Sequence, residues 1–128
     1  MMQREILVVD DNADSVAILR AFLTARGYGV AAASNGMEAL DCLRRQVFDL
    51  VLLDVMMPGM SGFDVLSHLR QDAATARLPV ILLTAKVEDE DLVTGYSGGA
   101  DYYITKPFTP KQLFYGIDLV LGEGDIGG

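Results

Sequence analysis

Asp10 and Asp11 follow one short apolar run, Asp54 follows another, Thr84 follows a third, and Lys106 lies just beyond the last. If those runs are strands of one parallel sheet, all four polar sets gather outside its carboxyl edge, where open α/β sheets bind their ligands. Carboxylates brought together repel one another, so they either take up protons or share a cation. An oxygen-only set beside a hydroxyl suits a hard ion such as magnesium. An ammonium at the same edge then needs an anion to face. Several carboxylates, a metal, a hydroxyl donor and an ammonium fit phosphoryl transfer, where catalysis is mainly positioning and neutralisation of the phosphoryl oxygens.

The runs that must position these groups are Ile6 to Val9, Val30 to Ala33, Leu50 to Leu53, Val80 to Leu83 and Tyr102 to Ile104. Several are continuously apolar rather than alternating, the pattern of parallel strands covered on both faces. About twenty to thirty residues separate successive starts, enough for a crossover helix and two loops. The expected fold class is α/β: a doubly wound five-stranded parallel sheet, flavodoxin-like, with helices on both faces.

The spacing predicts a first helix over 14–26 with Ile18, Ala21, Phe22 and Ala25 as its apolar stripe, and a second over 35–45 with Leu40 and Leu43. Phe63, Leu66 and Leu69 mark a third, ending near Asp72. The segment 87–97 is the weakest, because its acidic run and Gly95 leave little apolar face. Pro110 opens the last helix, with Leu113, Ile117, Val120 and Leu121 to dock it. Residues 1–121 are thus expected to form one domain. The glycine-rich stretch Gly122 to Gly128 reads as a flexible tail or the start of a linker.

Composition narrows the function. At 128 residues and 51% apolar content, the chain is one domain with material for a real core. A single cysteine, Cys42, forms no internal disulfide and fits a reducing, cytoplasmic setting. The opening MMQREILVVDD has no leader pattern, and no apolar stretch approaches about 18 residues, the least that spans a bilayer. Ten basic against eighteen acidic residues give a net charge of −8 without a basic cluster. Direct contact with nucleic acid or with an anionic membrane is therefore not expected.

Four sets of residues together resemble receiver domains of bacterial two-component response regulators, from residue 4 to about 121: Val8-Val9-Asp10-Asp11, the stretch Leu53-Asp54-Val55-Met56-Met57-Pro58-Gly59-Met60-Ser61-Gly62, Leu83-Thr84-Ala85, and the stretch from Gly99 to Phe108 that contains Tyr103-Ile104-Thr105-Lys106-Pro107. The resemblance implies a domain that takes a phosphoryl group from a histidine kinase or histidine phosphotransfer protein onto Asp54. Such a domain is no conventional enzyme, yet it catalyses its own magnesium-dependent phosphorylation and dephosphorylation. By the same resemblance, Mg2+, for which Mn2+ substitutes, is held by Asp10, Asp11, Asp54 and the backbone carbonyl of Met56. Thr84 and Lys106 meet phosphoryl oxygens, Ala85 supports the site, and Pro107 follows a cis peptide bond that aims Lys106. Tyr103 is the aromatic that moves with Thr84, and the face made by the fourth helix, fifth strand and fifth helix carries the output to another domain or protein. Met56 and Lys86 occupy the positions that tune hydrolysis. Neither offers a carboxylate or amide to orient water, so a long-lived phosphorylated form is expected.

Each residue also has a plainer reading. Asp10 and Asp11 fit a solvated pair at a strand end, Asp54 a turn cap, Thr84 a helix cap, Lys106 a stem lying on apolar surface, and Tyr103 a packed strand residue. His68 reads as a surface residue, and Gly59 and Gly62 as shaping the loop beside Asp54, since no P-loop pattern surrounds them. The competing function is a receiver-like interaction domain that needs no phosphorylation; the intact acids, Thr84 and Lys106 argue against it. A phosphatase with Asp54 as nucleophile would want a second acid or base beside it, which Val55-Met56 does not supply. A flavodoxin-like cofactor site would place phosphate against Asp10 and Asp11, whose charge repels it.

Overall fold

The computed structural model describes residues 3–85 and 89–122. Five strands, β1 (Glu5–Val9), β2 (Gly29–Ala33), β3 (Leu50–Asp54), β4 (Val80–Thr84) and β5 (Tyr102–Thr105), alternate with five helices. These are α1 (Ala13–Ala25), α2 (Gly36–Arg45), α3 (Gly62–Gln71), α4 (Asp89–Ser97) and α5 (Pro110–Leu121). All strand pairs are parallel and the order is β2-β1-β3-β4-β5. The direction of winding therefore reverses between β1 and β3, which opens a crevice at their carboxyl ends.

The continuous apolar runs are buried on both sides. Leu7, Val9, Val51, Leu53, Val80, Leu82 and Tyr103 pack towards α2 and α3, through Ala39, Val65, Leu66 and Leu69. Ile6, Val8, Leu50, Leu52, Ile81, Leu83 and Ile104 pack towards α1 and α5, through Leu19, Leu23, Leu113 and Ile117. With α1 and α5 on one face and α2, α3 and α4 on the other, the chain has the three-layered architecture that the apolar runs predict.

Helix starts follow local chemistry. Asn12, Asn35, Ser61 and Thr109 each accept a backbone N–H of the first turn, and Ser61 with Asp64 and Thr109 with Gln112 close reciprocal capping boxes. Pro110 opens α5, and Gly122 ends it in the left-handed conformation at φ 70°.

One helix face differs from expectation. In α1 the residues that enter the core are Leu19 and Leu23, with Val16 and Phe22 partly buried against them. Ile18 is 51% exposed, and Ala21 and Ala25 are exposed as well. Two overlapping helical spacings exist in this segment, and the face with Leu19 and Leu23 takes the core because two leucines bury more apolar area than Ala21 and Ala25 would. α4 begins at Asp89, within the expected 87–97, while residues 86–88 and 123–128 lie outside the described set. Among the described residues no helix is long and apolar enough to cross a membrane.

Candidate functional site

Asp54 is the last residue of β3 and Asp10 directly follows β1, so the crevice between these two neighbouring strands receives both carboxylates. Asp10 is buried, its backbone N–H donating to Ala33 O at 3.1 Å. Its Oδ1 accepts the Asn12 N–H at 2.9 Å, a turn that also sets up Asn12 as the cap of α1. Asp11 is exposed at the rim. One ligand oxygen from each of Asp10, Asp11 and Asp54 lies within 4.8 Å of the others, a spacing compatible with a shared divalent cation.

Lys106 comes from β5's far end, 96 residues from Asp10 in sequence, and its Nζ donates to Asp10 Oδ2 at 2.6 Å while lying 3.8 Å from Asp54 Oδ2. Its backbone N–H donates to the Thr84 carbonyl at 2.6 Å, which ties the strand ends of β4 and β5 together. The Lys106–Pro107 peptide bond is cis. Thr84 is fully buried at the end of β4, Ala85 is exposed beside it, and Tyr103 is buried on β5. Thr84 and Leu82 alternate onto the same face of β4, and Leu82 is the register partner of Tyr103, so Thr84 and Tyr103 share the α4 side of the sheet.

Electrostatics set Asp54 apart. Burial pushes its carboxyl up from the ordinary 3.8 to about 6; the Lys106 ammonium pulls against this rise, and the Asp10 charge adds to it. Two carboxylates and one ammonium leave the pocket with excess negative charge and a cost of desolvation. A divalent cation at the three acids would relieve both, and the all-oxygen donor set matches a hard ion.

The loop after Asp54 is built for close approach. Met56 N–H donates to Asp54 Oδ1 at 3.2 Å, so the turn-capping reading of Asp54 and its position at the site hold together. A Cβ on Gly62 would run into the Asp54 carbonyl and lie 2.8 Å from Val55 Cα, while Gly59 sits at φ 78°. Both glycines therefore shape this loop, as their positions suggested. Met56 itself is 69% exposed and His68 is at the surface. Lys86 lies outside the described residues.

Three contributors had escaped the sequence reading. Asn12 holds Asp10 through its backbone, and its only signal was a capping residue before a helix. Ile18, exposed on α1, lines with Leu19, Ala85, Lys106, Pro107 and Phe108 a largely apolar groove of about 330 Å³ that opens beside Lys106. Arg70, at the end of α3, donates to the carbonyls of Leu78 (2.7 Å) and Gly99 (2.7 Å) and to Asp101 Oδ2 (3.2 Å), bracing the turn between α4 and β5.

A parallel doubly wound sheet with three acids, a buried threonine and a lysine at its carboxyl edge defines a class, and the sequence places the chain within it. Residues 6–118 match the family described as the response regulator receiver domain, to which the chain belongs. It is 46% identical over 112 residues to the DNA-binding response regulator MtrA of Mycobacterium leprae (strain TN), covering 88% of this chain and 48% of that protein. The probable transcriptional regulator ycf27 of Porphyra purpurea is also 46% identical, over 123 residues, 96% of this chain and 49% of that protein. The chain thus spans about half the length of these curated relatives. Among solved structures, the chemotaxis protein CheY4 of Vibrio cholerae superposes with a TM-score of 0.90 at 31% identity, over 94% of this chain and 100% of that one. The signal receiver domain of a signal transduction histidine kinase from Syntrophus aciditrophicus gives 0.86 at 34% identity, over 93% and 90%.

Proposed function

We propose that Asp54 accepts a phosphoryl group from the phosphohistidine of a sensor kinase or phosphotransfer protein. An Asp54 carboxylate oxygen forms the new P–O bond as the donor's P–N bond breaks. The bonding pair leaves with the imidazole nitrogen, which takes a proton from water. Asp10, Asp11, Asp54 and the Met56 carbonyl are the ligands for Mg2+ or Mn2+, which when bound supplies positive charge that offsets the phosphoryl oxygens. Lys106 and the Thr84 hydroxyl take the remaining oxygens, with Ala85 and Pro107 framing them. The single observation that carries this reading is the convergence of three carboxylates and Lys106 from three separate chain segments around one buried acid.

Two surfaces serve it. The apolar groove of Ile18, Pro107 and Phe108 adjoins Lys106, where a donor protein must close over Asp54 to bring its phosphohistidine within reach. The face of α4, β5 and α5, with exposed Tyr96, Tyr115 and Leu119, passes the signal to an output domain or protein once Thr84 and Tyr103 shift. Residues 1–121 act as the receiver unit, and 122–128 as its tail or linker. The lone Cys42 goes with a reducing cytoplasm. Met56 offers no group to hold an attacking water, and by sequence neither does Lys86, which supports a slowly hydrolysed acyl phosphate.

The test is binding of a tetrahedral phosphoryl mimic, beryllium fluoride with magnesium, followed by NMR on the whole chain. Saturable binding that disappears in Asp54→Ala is expected. No binding would favour the phosphorylation-independent interaction domain.

A further inference from the structure

Glycine inside a helix is unfavourable, because it loses more backbone freedom than any other residue and contributes no side-chain packing. α4 nevertheless carries Gly95 at its buried side, and α5 carries Gly116 likewise. A Cβ at Gly95 would lie 2.9 Å from Leu82 Cδ1 and 3.2 and 3.4 Å from Cε2 and Cδ2 of Tyr103. A Cβ at Gly116 would lie 2.9 Å from both Cδ2 and Cε2 of Tyr102. Adjacent residues of one strand point to opposite faces, so each glycine faces a different tyrosine of β5, one on each side of the sheet.

The contact at Gly95 is the one that matters for signalling. Leu82 and Tyr103 are register partners that lie side by side beneath Gly95, with the Tyr96 ring 6.4 Å from the Tyr103 ring at a tilt of 45°. The Leu82 end can swing aside, but the Tyr103 ring, 3.2 Å from a carbon added at Gly95, or the helix above it must also give by a few tenths of an ångström. Either displacement loosens the cover over Tyr103.

We infer that Gly95 is a positioning residue for Tyr103: it is the gap in α4 that admits the ring, so the buried setting of Tyr103 is fixed by the helix that covers it. This rests on the reading of Tyr103 as the residue that moves on phosphorylation. It follows that Gly95→Ala loosens the buried setting of Tyr103 whether or not Asp54 is phosphorylated.

The experiment uses the whole chain labelled with 3-fluorotyrosine, whose five tyrosines give resonances assignable by single Tyr→Phe changes. A soluble gadolinium chelate broadens each resonance according to its exposure. In the native chain Tyr28 and Tyr103, both buried, are the least broadened. In Gly95→Ala the Tyr103 broadening is expected to rise above that of Tyr28, which stays unchanged. The matched change Gly116→Ala should move Tyr102 and leave Tyr103 as it was. Unchanged protection of Tyr103 in Gly95→Ala, or identical disturbance of both tyrosines by the two variants, would overturn the inference. Should Gly95→Ala fail to fold, Gly95→Ala/Tyr103→Leu is expected to regain a cooperative transition, because the ring is gone; an equally unfolded double variant counts against it.

Treatment with acetyl phosphate and magnesium separates this inference from the function it rests on. The expected result is an Asp54 adduct in both native chain and Gly95→Ala, with a Tyr103 shift on phosphorylation that is smaller in Gly95→Ala than in the native chain. A full Tyr103 shift in Gly95→Ala refutes the positioning role. Absence of an adduct in the native chain refutes the phosphoacceptor reading, while the broadening comparison still decides the fit of ring and helix.

Discussion

Replacing Asp54 with asparagine should stabilise the metal-free protein at neutral pH, even though it removes the acid on which the function depends. Burial and the Asp10 charge together outweigh Lys106 and lift the Asp54 carboxyl from 3.8 to about 6. An acid with a raised folded-state value binds its proton more tightly when folded. Its contribution to stability is therefore full below pH 3.8, declines as pH rises, and is lost above about 6. At about 1.36 kcal/mol per unit, ionised Asp54 costs the fold up to about 3 kcal/mol at neutral pH. Asparagine keeps the shape and the oxygen that accepts the Met56 N–H, but carries no charge to desolvate. For a domain of this size the gain corresponds to a Tm increase on the order of 10 °C. The assay is urea unfolding of both chains in chelator across the acid to neutral range. The difference should be small in acid, grow through the window from 3.8 to about 6, and then level off. An asparagine variant no more stable at neutral pH, or a gap that does not vary with pH, would refute the electrostatic account of this pocket.

Three further outcomes follow from the same contacts. Magnesium at about a hundredfold excess over its Kd should stabilise the native chain by about 2.7 kcal/mol, read as a Tm increase that Asp11→Asn largely abolishes. Lys106→Met leaves the buried Asp10 carboxylate without the ammonium now 2.6 Å away. Because Lys106 is partly exposed, the expected loss is about 2 kcal/mol rather than that of a fully buried pair, measured by denaturant unfolding in chelator. Arg70→Leu strips the Gly99 and Leu78 carbonyls of their charged donor and should cost about 3 kcal/mol, with amide exchange rising first around residues 98–101.

The sheet was legible because each strand is a short apolar run with turn residues at its ends, and because burial on both faces leaves no alternation to misread. The α1 face was not: Ile18, Ala21, Phe22 and Ala25 satisfy a helical period as well as Val16, Leu19 and Leu23 do, and only packing against Ile6, Val8 and Leu52 separates them. Ile18 looked like core because it is apolar; it instead lines the groove beside Lys106. Asp10, Asp54, Thr84 and Lys106 could be assigned to one edge from their places after the apolar runs. Their pairing could not, since the ion pair of Lys106 with Asp10 joins residues 96 apart and depends on how β5 ends. Arg70 gave no signal at all, because an arginine in the last turn of a helix ordinarily faces solvent, whereas its acceptors are the Leu78 and Gly99 carbonyls and the Asp101 carboxylate, all outside the helix. Gly95 read as a weakness of its helix, and the reason for it is visible only with the Tyr103 ring in place.

Phosphoryl transfer to Asp54 with the help of a divalent cation would leave a mass signature. Intact mass after incubation with acetyl phosphate tests it most directly, for the native chain and Asp54→Ala, with magnesium and with chelator. A gain of one phosphoryl group, about 80 Da, is expected only in the native chain with magnesium. A native chain that gains no mass, or an equal gain in Asp54→Ala, would contradict it.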